Sequence, residues 1–223
     1  MKGVVVCFLF LSSLTSMAQD CQHFLFLQKD KTIEMTSYDK KGEPNGRTVY
    51  HVSEVSAGGG TIKGNVNSEM FDKKDKPMAK TSCQIQCNGG VMMIDMQMMF
   101  PRQQAEQMKT EAKATNVYLE YPAKMAVGDV LKDGNMTVDM NNAGLASAMT
   151  MVISERKVEG QESITTSAGT WNCFRISYKG RLTIKMGPIP INTSLDGAEW
   201  YAPGFGMIKT QSKYGTTAIT SIK

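Results

Sequence analysis

The sequence predicts a mostly β protein whose antiparallel sheet forms a sandwich, a barrel or an open half-barrel, with one helix near 101–114. Three observations support this fold class. Apolar and polar residues alternate with a period of two over long runs. Gly-rich and Asn-rich turn signals separate these runs. Helical patterns do not alternate with the strands, which argues against a parallel α/β sheet.

The clearest alternation covers residues 173–186. Its even positions are mostly apolar, and they are Phe174, Ile176, Tyr178, Gly180, Leu182, Ile184 and Met186. Its odd positions are mostly polar or basic, which is typical of a strand with a core on one side only. The run is longer than a usual strand. We therefore expect either one long strand kinked at Gly180 or two strands joined by a turn there.

Weaker alternation covers 61–70 and 149–154. The turn signals lie at 41–46, 58–60, 88–90, 132–134 and 167–169.

One segment lacks this alternation. Pro101 suits the first position of a helix, and 102–114 is rich in good helix formers. Its apolar stripe is thin, which predicts a surface crossover helix.

The N-terminus has the features of a cleavable signal peptide. Lys2 precedes an apolar run at 3–11, and Ser16 and Ala18 are the small residues that a signal peptidase requires. We predict cleavage after Ala18, leaving 19–223 as one β-rich domain. The apolar run is too short for a transmembrane segment. Cys21 follows Gln and Asp, which argues against lipid attachment and predicts a periplasmic or secreted protein that is not a lipoprotein.

Charge and composition exclude several function classes. The formal net charge of the 223 residues is +4, which is too mild for a nucleic-acid footprint. The chain has only His23 and His51, and neither lies in a catalytic motif. We therefore predict a non-enzymatic protein without catalytic residues, cofactor or metal.

Four cysteines remain after the predicted cleavage: Cys21, Cys83, Cys87 and Cys173. An even number in an oxidising compartment predicts two disulfides. Cys83 and Cys87 are four residues apart in an alternating run, so their Cα atoms would lie roughly 13 Å apart in a strand. A disulfide requires about 7 Å or less. One of these two cysteines is therefore expected to pair with Cys21 and the other with Cys173, in either combination.

Methionine is abundant, with 18 residues. Five of them cluster along the chain, and they are Met92, Met93, Met96, Met98 and Met99. Thioethers are soft ligands that suit Cu(I), so a periplasmic copper-binding protein is one alternative. Methionine also fills cores and lines adaptable apolar pockets. Alternation with Ile94 favours core or pocket lining.

Three stretches carry a family resemblance: 162–173, 200–210, and Tyr121-Pro122 leading to 127–131. They resemble the TapB-like family of secreted proteins from the Bacteroides group. That family is similar to periplasmic domains in which an antiparallel sheet curls into an open half-barrel, as in lipoprotein-carrier and lipocalin-like proteins. The resemblance implies this half-barrel here, and it transfers no catalytic residue.

The half-barrel and the apolar face of 174–186 together suggest binding of a lipid or another hydrophobic ligand. The residues expected to line the concave face are Met96, Met98, Phe174, Ile176, Tyr178 and Leu182. The alternative is a structural or interaction module that docks an envelope protein.

Overall fold

The computed structural model describes residues 21, 23–96, 117–142, 145–186 and 189–223, with only the backbone described at 139–142, 145–147 and 186. The strands of the described residues are β1 (Thr32–Tyr38), β2 (Pro44–Gly58), β3 (Thr61–Asp72), β4 (Pro77–Asn88), β5 (Val91–Asp95), β6 (Tyr118–Tyr121), β7 (Gly134–Asn142), β8 (Leu145–Thr166), β9 (Gly169–Met186), β10 (Pro190–Ser194), β11 (Gly197–Ala202), β12 (Gly206–Ser212) and β13 (Gly215–Ile222). A short 3₁₀ helix at Leu25–Leu27 precedes β1. The predicted signal peptide at 1–18 and the predicted helix at 101–114 lie outside the described residues.

The strands form one antiparallel sheet in the order β6-β5-β4-β3-β2-β1-β13-β12-β11-β9-β8-β7, and β10 pairs with β9 beside this path. The sheet curls until its edge strands β6 and β7 meet. Leu119 of β6 lies 2.6 Å from the position that a Cβ atom on Gly134 of β7 would take. The described strands share no backbone ladder at this seam, so the barrel is nearly closed. The predicted mostly β, antiparallel, curled sheet is confirmed.

Two of the tightest turns fall where the sequence predicts them. The β2–β3 turn contains Gly59 and Gly60 with φ of 58° and 78°, and the β4–β5 turn contains Gly89 and Gly90 with φ of 57° and 82°. Two consecutive residues with positive φ are what a type I′ hairpin requires, and glycine adopts this conformation without steric cost. These glycines therefore set the register of the first hairpins.

The alternating run at 173–186 belongs to one continuous strand, β9, which confirms the long-strand alternative. β9 pairs with β8 from Thr166↔Gly169 to Ser147↔Met186. The β8–β9 hairpin is longer than the neighbouring β11–β12 hairpin. The far parts of β8 and β9 therefore extend past β11, and they pair there with β7 and β10.

The segment before β1 fills one part of the interior. Phe24 and Leu25–Leu27 are buried, and the 3₁₀ helix lies against β2, β3 and β4. Gly64 of β3 permits this approach, because a Cβ atom there would lie 2.6 Å from the Phe26 carbonyl oxygen. The Leu25 amide also donates to the Phe205 carbonyl at 3.0 Å, which ties the segment to the β11–β12 turn.

Candidate functional site

The predicted ligand-binding face of β9 divides into a packed part and an open part. Phe174 is 5% exposed and Ile176 is fully buried. Farther along the same face, Tyr178 and Leu182 are half-buried. The ligand-binding role of these residues remains a prediction. Of these four, the two with surface to offer a ligand are Tyr178 and Leu182.

Leu195 marks the boundary between the two parts. A Cβ atom on Gly180 would lie 2.8 Å from Leu195 Cβ and 2.9 Å from its carbonyl oxygen. The Leu195 amide donates to the Gly180 carbonyl at 2.8 Å, which holds the two backbones together. Only glycine therefore fits at position 180. Leu195 covers the apolar face at this level, and the side chains of Leu182 and Ile184 beyond it are half-buried.

Beyond Leu195, β7, β8, β9 and β10 form a four-stranded extension. Residues that pair across its strands share a face, and the first row on the apolar face is Val138, Met149, Ile184 and Ile191. A second row consists of Met136, Met151 and Leu182.

Burial decreases along this face. Met136 and Met151 are buried at its base, whereas Ile191 at its edge is 56% exposed. Val138, Met149, Leu182 and Ile184 are half-buried. We define the apolar extension face as Val138, Met149, Leu182, Ile184 and Ile191.

The methionine cluster contributes to the core in its described part. Met92 and Met96 are fully buried, and a Cβ atom on Gly134 would lie 2.7 Å from Met96 Sδ. Met98, the other methionine predicted to contact a ligand, lies outside the described residues. Among the described side chains, no group of three or more His, Cys, Asp or Glu is arranged to hold a metal ion.

A buried polar cluster centred on Arg156 spans the seam between β6 and β7. Arg156 is fully buried. Its guanidinium donates to the backbone carbonyls of Glu120 at 3.0 Å and Lys132 at 2.9 Å, which lie on opposite sides of the seam. It also donates to Glu199 Oε1 at 3.1 Å. Side-chain hydrogen bonds from one arginine thus replace the missing backbone ladder.

Two tyrosines complete the cluster. The Tyr121 hydroxyl donates to Glu199 Oε2 at 2.9 Å. The Tyr121 ring stacks on Tyr201 with centroids 4.5 Å apart, and the Arg156 guanidinium carbon lies 4.6 Å from the Tyr121 centroid. Among the fully buried side-chain nitrogen and oxygen atoms of the described residues, Arg156 Nε is the one without a hydrogen-bond partner. The cluster is therefore a buried network of paired polar side chains across the seam.

Burial and the Glu199 carboxylate determine the electrostatics of the cluster. Burial raises the pKa of Tyr121 well above its ordinary value, and the Glu199 carboxylate raises it further. Burial also raises the pKa of Tyr201, with a further contribution from Glu199. For Arg156, burial alone would lower the pKa, but Tyr121 and Glu199 outweigh burial and raise it. The two tyrosines stay protonated and serve as a hydrogen-bond donor and stacking surfaces.

Sequence reasoning missed this cluster because a β-bulge places Arg156 inside. The register of β8 against β9 shifts between Ser154 and Lys157, and Glu155 has a positive φ of 52°. The inserted residue turns Arg156 to the same side as Ile153. Alternation alone would place Arg156 opposite Ile153, so the sequence contained no signal for its burial.

One of the two predicted disulfides is present. Cys21 and Cys87 are bonded, with Cα atoms 5.7 Å apart, which is one of the combinations left open. Cys83 and Cys173 are free thiols, so the second predicted disulfide is wrong. Cys83 lies opposite Val66 on the core side of β4. Cys173 points to the other side of β9 from the buried Phe174, so the two sulfurs cannot meet.

Both free thiols are unreactive in character. Burial raises the pKa of Cys83 to about 12, with a further contribution from Asp95. Burial raises the pKa of Cys173 to about 11, with a further contribution from Glu162. The thiolate is the reactive form of cysteine, so neither group is suited to be a nucleophile at neutral pH.

Comparison with solved structures identifies relatives of the same fold. One is a predicted exported protein with a YmcC-like fold from Bacteroides fragilis NCTC 9343, with a TM-score of 0.69 and 19% identity over 90% of this chain and 98% of the other. Another is a predicted lipoprotein from Parabacteroides distasonis ATCC 8503, with a TM-score of 0.70 and 19% identity over the same shares. At this identity the likeness establishes the fold alone. No curated protein matches the chain.

Within the described parts of the chain, no helix has both the length and the apolar character to cross a membrane. The TapB-like family name suggested by the sequence motifs is not confirmed, although relatives from Bacteroides and Parabacteroides are found. A family model described as DUF3108-like matches residues 28–221, which is most of the 223-residue chain. The chain therefore belongs to the DUF3108-like family.

Proposed function

We propose that the protein is an exported, non-enzymatic binding protein that holds a lipid or another hydrophobic ligand on the apolar extension face. The main observation in support of this proposal is that the rows of apolar side chains continue past Leu195. Val138, Met149 and Ile184 remain half-buried there, and Ile191 is 56% exposed. Contiguous exposed apolar patches on soluble proteins usually mark a site for a ligand or partner.

The shape of this face suits a linear apolar ligand. The paired residues from Val138 to Ile191 cross four strands, which spans about 14 Å at a strand spacing of about 4.8 Å. Methionine and isoleucine offer no hydrogen bonds, so recognition depends on apolar contact. Flexible methionine side chains adapt to ligands of different shape. An acyl chain laid across the strands fits these properties.

Uptake of a fluorescent fatty-acid analogue tests the proposal. The double change Met149→Ser and Ile184→Ser should reduce uptake at least tenfold while the protein remains folded, because these side chains are only partly covered. Val152→Ser provides a matched control, since Val152 is half-buried on the opposite face of β8. Equal uptake by the double variant and the control would contradict the proposal, as would a wild type that binds no analogue. Native mass spectrometry of the purified protein would identify a retained lipid.

The second candidate function is docking of an envelope protein, and strand β10 favours it. β10 pairs with β9 on one side, and no described strand pairs with its other edge. Its sequence Pro190–Ser194 contains no charged residue, and the neighbouring Ile189 is 77% exposed. Natural edge strands usually carry charges or bulges that prevent strand addition. A photocrosslinker at Asn192, compared with one at Asn45, should capture one defined partner if β10 is a docking edge.

A further inference from the structure

We propose that the outer face of the sheet carries a second binding site, a groove for an acidic oligosaccharide. Two adjoining cavities form this outer groove, with volumes of about 580 Å³ and about 680 Å³. They share Glu155, Lys179 and Asp196. Lys179 lies on the face of β9 opposite the apolar extension face, so the outer groove is independent of the function proposed above.

The β-bulge of β8 contributes to the outer groove. Glu155, the residue with φ of 52°, lines both cavities. A non-glycine residue in this region of backbone space is unusual, and such strain is concentrated at functional sites. The bulge turns Arg156 into the core and directs Glu155 outward, where its carboxylate accepts a hydrogen bond from Lys179 at 3.0 Å. The same β-bulge thus supplies Arg156 to the seam and Glu155 to the outer groove.

Charge in the outer groove is arranged in zones. At its centre, Lys179 forms an ion pair with Glu155 at 2.9 Å, and Asp196 accepts a hydrogen bond from the Gly180 amide at 3.0 Å. Arg175 and Lys213 line one cavity, and Arg181 lines the other. These three cations form no ion pair with any described carboxylate. The two ends are therefore basic, and the two central carboxylates would repel a continuous polyanion.

The spacing of the cations sets the kind of ligand. Arg175 and Arg181 are six residues apart in β9, which corresponds to about 20 Å along a strand. Between them the groove presents hydroxyl and amide side chains, and these are Ser154, Asn192, Ser194 and Gln211. Such groups hydrogen-bond to hydroxyl-rich ligands. The arrangement fits a chain with acidic groups separated by neutral, hydroxylated units.

A peptide fits the groove floor less well. β9 is paired on both sides along the groove, with β8 on one side and β10 and β11 on the other. Its backbone donors and acceptors are therefore not free for an added strand. Recognition at the floor must come from side chains alone, which favours a sugar chain over an extended peptide.

Isothermal titration with a hyaluronan octasaccharide tests this proposal, because glucuronate alternates with neutral N-acetylglucosamine in that probe. The double change Arg175→Ser and Arg181→Ser should weaken binding about tenfold or more, since hydrogen bonds to charged groups are among the stronger polar contacts. Lys73→Ser with Lys74→Ser is the matched control, because it removes the same charge from an exposed turn between β3 and β4. The control should bind like the wild type.

Three results would overturn the proposal: no binding of the octasaccharide by the wild type, an equal loss in both double variants, or equal affinity for a neutral chitin octasaccharide. All four substituted side chains are exposed, so thermal melting should show that each variant is folded. Fatty-acid uptake should be unchanged in both, which separates this site from the apolar extension face.

Discussion

The two halves of β9 have the same alternation and different surroundings. On the even face, Phe174 and Ile176 are enclosed by the core, whereas Leu182 and Ile184 remain half-buried beyond Leu195. The first half pairs with β11, and its even side chains belong to the main core cluster. The second half pairs only with strands of the extension. Alternation therefore identifies which face of a strand is apolar, and it does not show whether that face is covered.

The largest expected difference between the packed core and the exposed extension involves two arginines, Arg156 of β8 and Arg181 of β9. Arg156→Met should destabilise the protein by about 3–5 kcal/mol, because it leaves Glu199 as an unpaired buried charge. Arg181→Met in the exposed extension should change the free energy of unfolding by less than about 0.5 kcal/mol. Urea unfolding followed by circular dichroism measures both values. Similar values for both variants would mean that the Arg156 cluster does not hold the seam.

A double-mutant cycle sharpens this test. The combination of Arg156→Met with Glu199→Met should be less destabilising than the sum of the two single changes, because each single change leaves one buried charge without its partner. Additive effects would contradict the pairing.

Isoleucines at equivalent positions on the even face give the next largest difference. Ile176→Ser should cost about 2–4 kcal/mol, since it removes buried apolar contact and places a hydroxyl in the core. Ile184→Ser should lower the free energy of unfolding by less than about 1 kcal/mol, because the loss scales with the apolar area that is buried in the wild type. Equal losses from the two changes would show that the extension is covered as completely as the core.

The smallest expected effect concerns the two free cysteines, Cys83 of β4 and Cys173 of β9. Because the pKa of Cys83 is raised to about 12 and that of Cys173 to about 11, both remain protonated at pH 8, and alkylation of the native protein should be slow. Unfolding a protein that begins at Gln19, and so lacks Cys7, should expose two thiols without reductant, and mass spectrometry should then detect two adducts. Detection of no adduct would show that the second predicted disulfide forms after all.

Much of the fold could be predicted because its determinants are local. The glycine pairs at 59–60 and 89–90 dictate hairpin turns, and the alternation at 173–186 dictates a strand with one apolar face. The bulge at Glu155 could not be predicted, because a single inserted residue reverses the direction of Arg156 without changing the composition of the run. The contact of Leu195 with Gly180 could not be predicted either, because the two residues are 15 positions apart in the chain.

The disulfide illustrates the same limit at longer range. Strand spacing excluded a bond between Cys83 and Cys87, but it could not choose the partner of Cys21. The choice depends on how the segment before β1 packs against β3 and β4, and on the side of β9 to which Cys173 points. Both are properties of the assembled sheet.

The pairing of β1 with β13 has a consequence for how the protein reaches this fold. Ile33 pairs with Ile222, and the Leu25 amide donates a hydrogen bond to the Phe205 carbonyl. The partner strand of β1 therefore lies almost two hundred residues later in the chain. Contacts of such high sequence separation slow folding, because a long loop must close before they form. Hairpins such as β2–β3 can form early, while closure waits until β13 has emerged. During that interval the apolar strands are unprotected, and this is when the chain is most prone to aggregate.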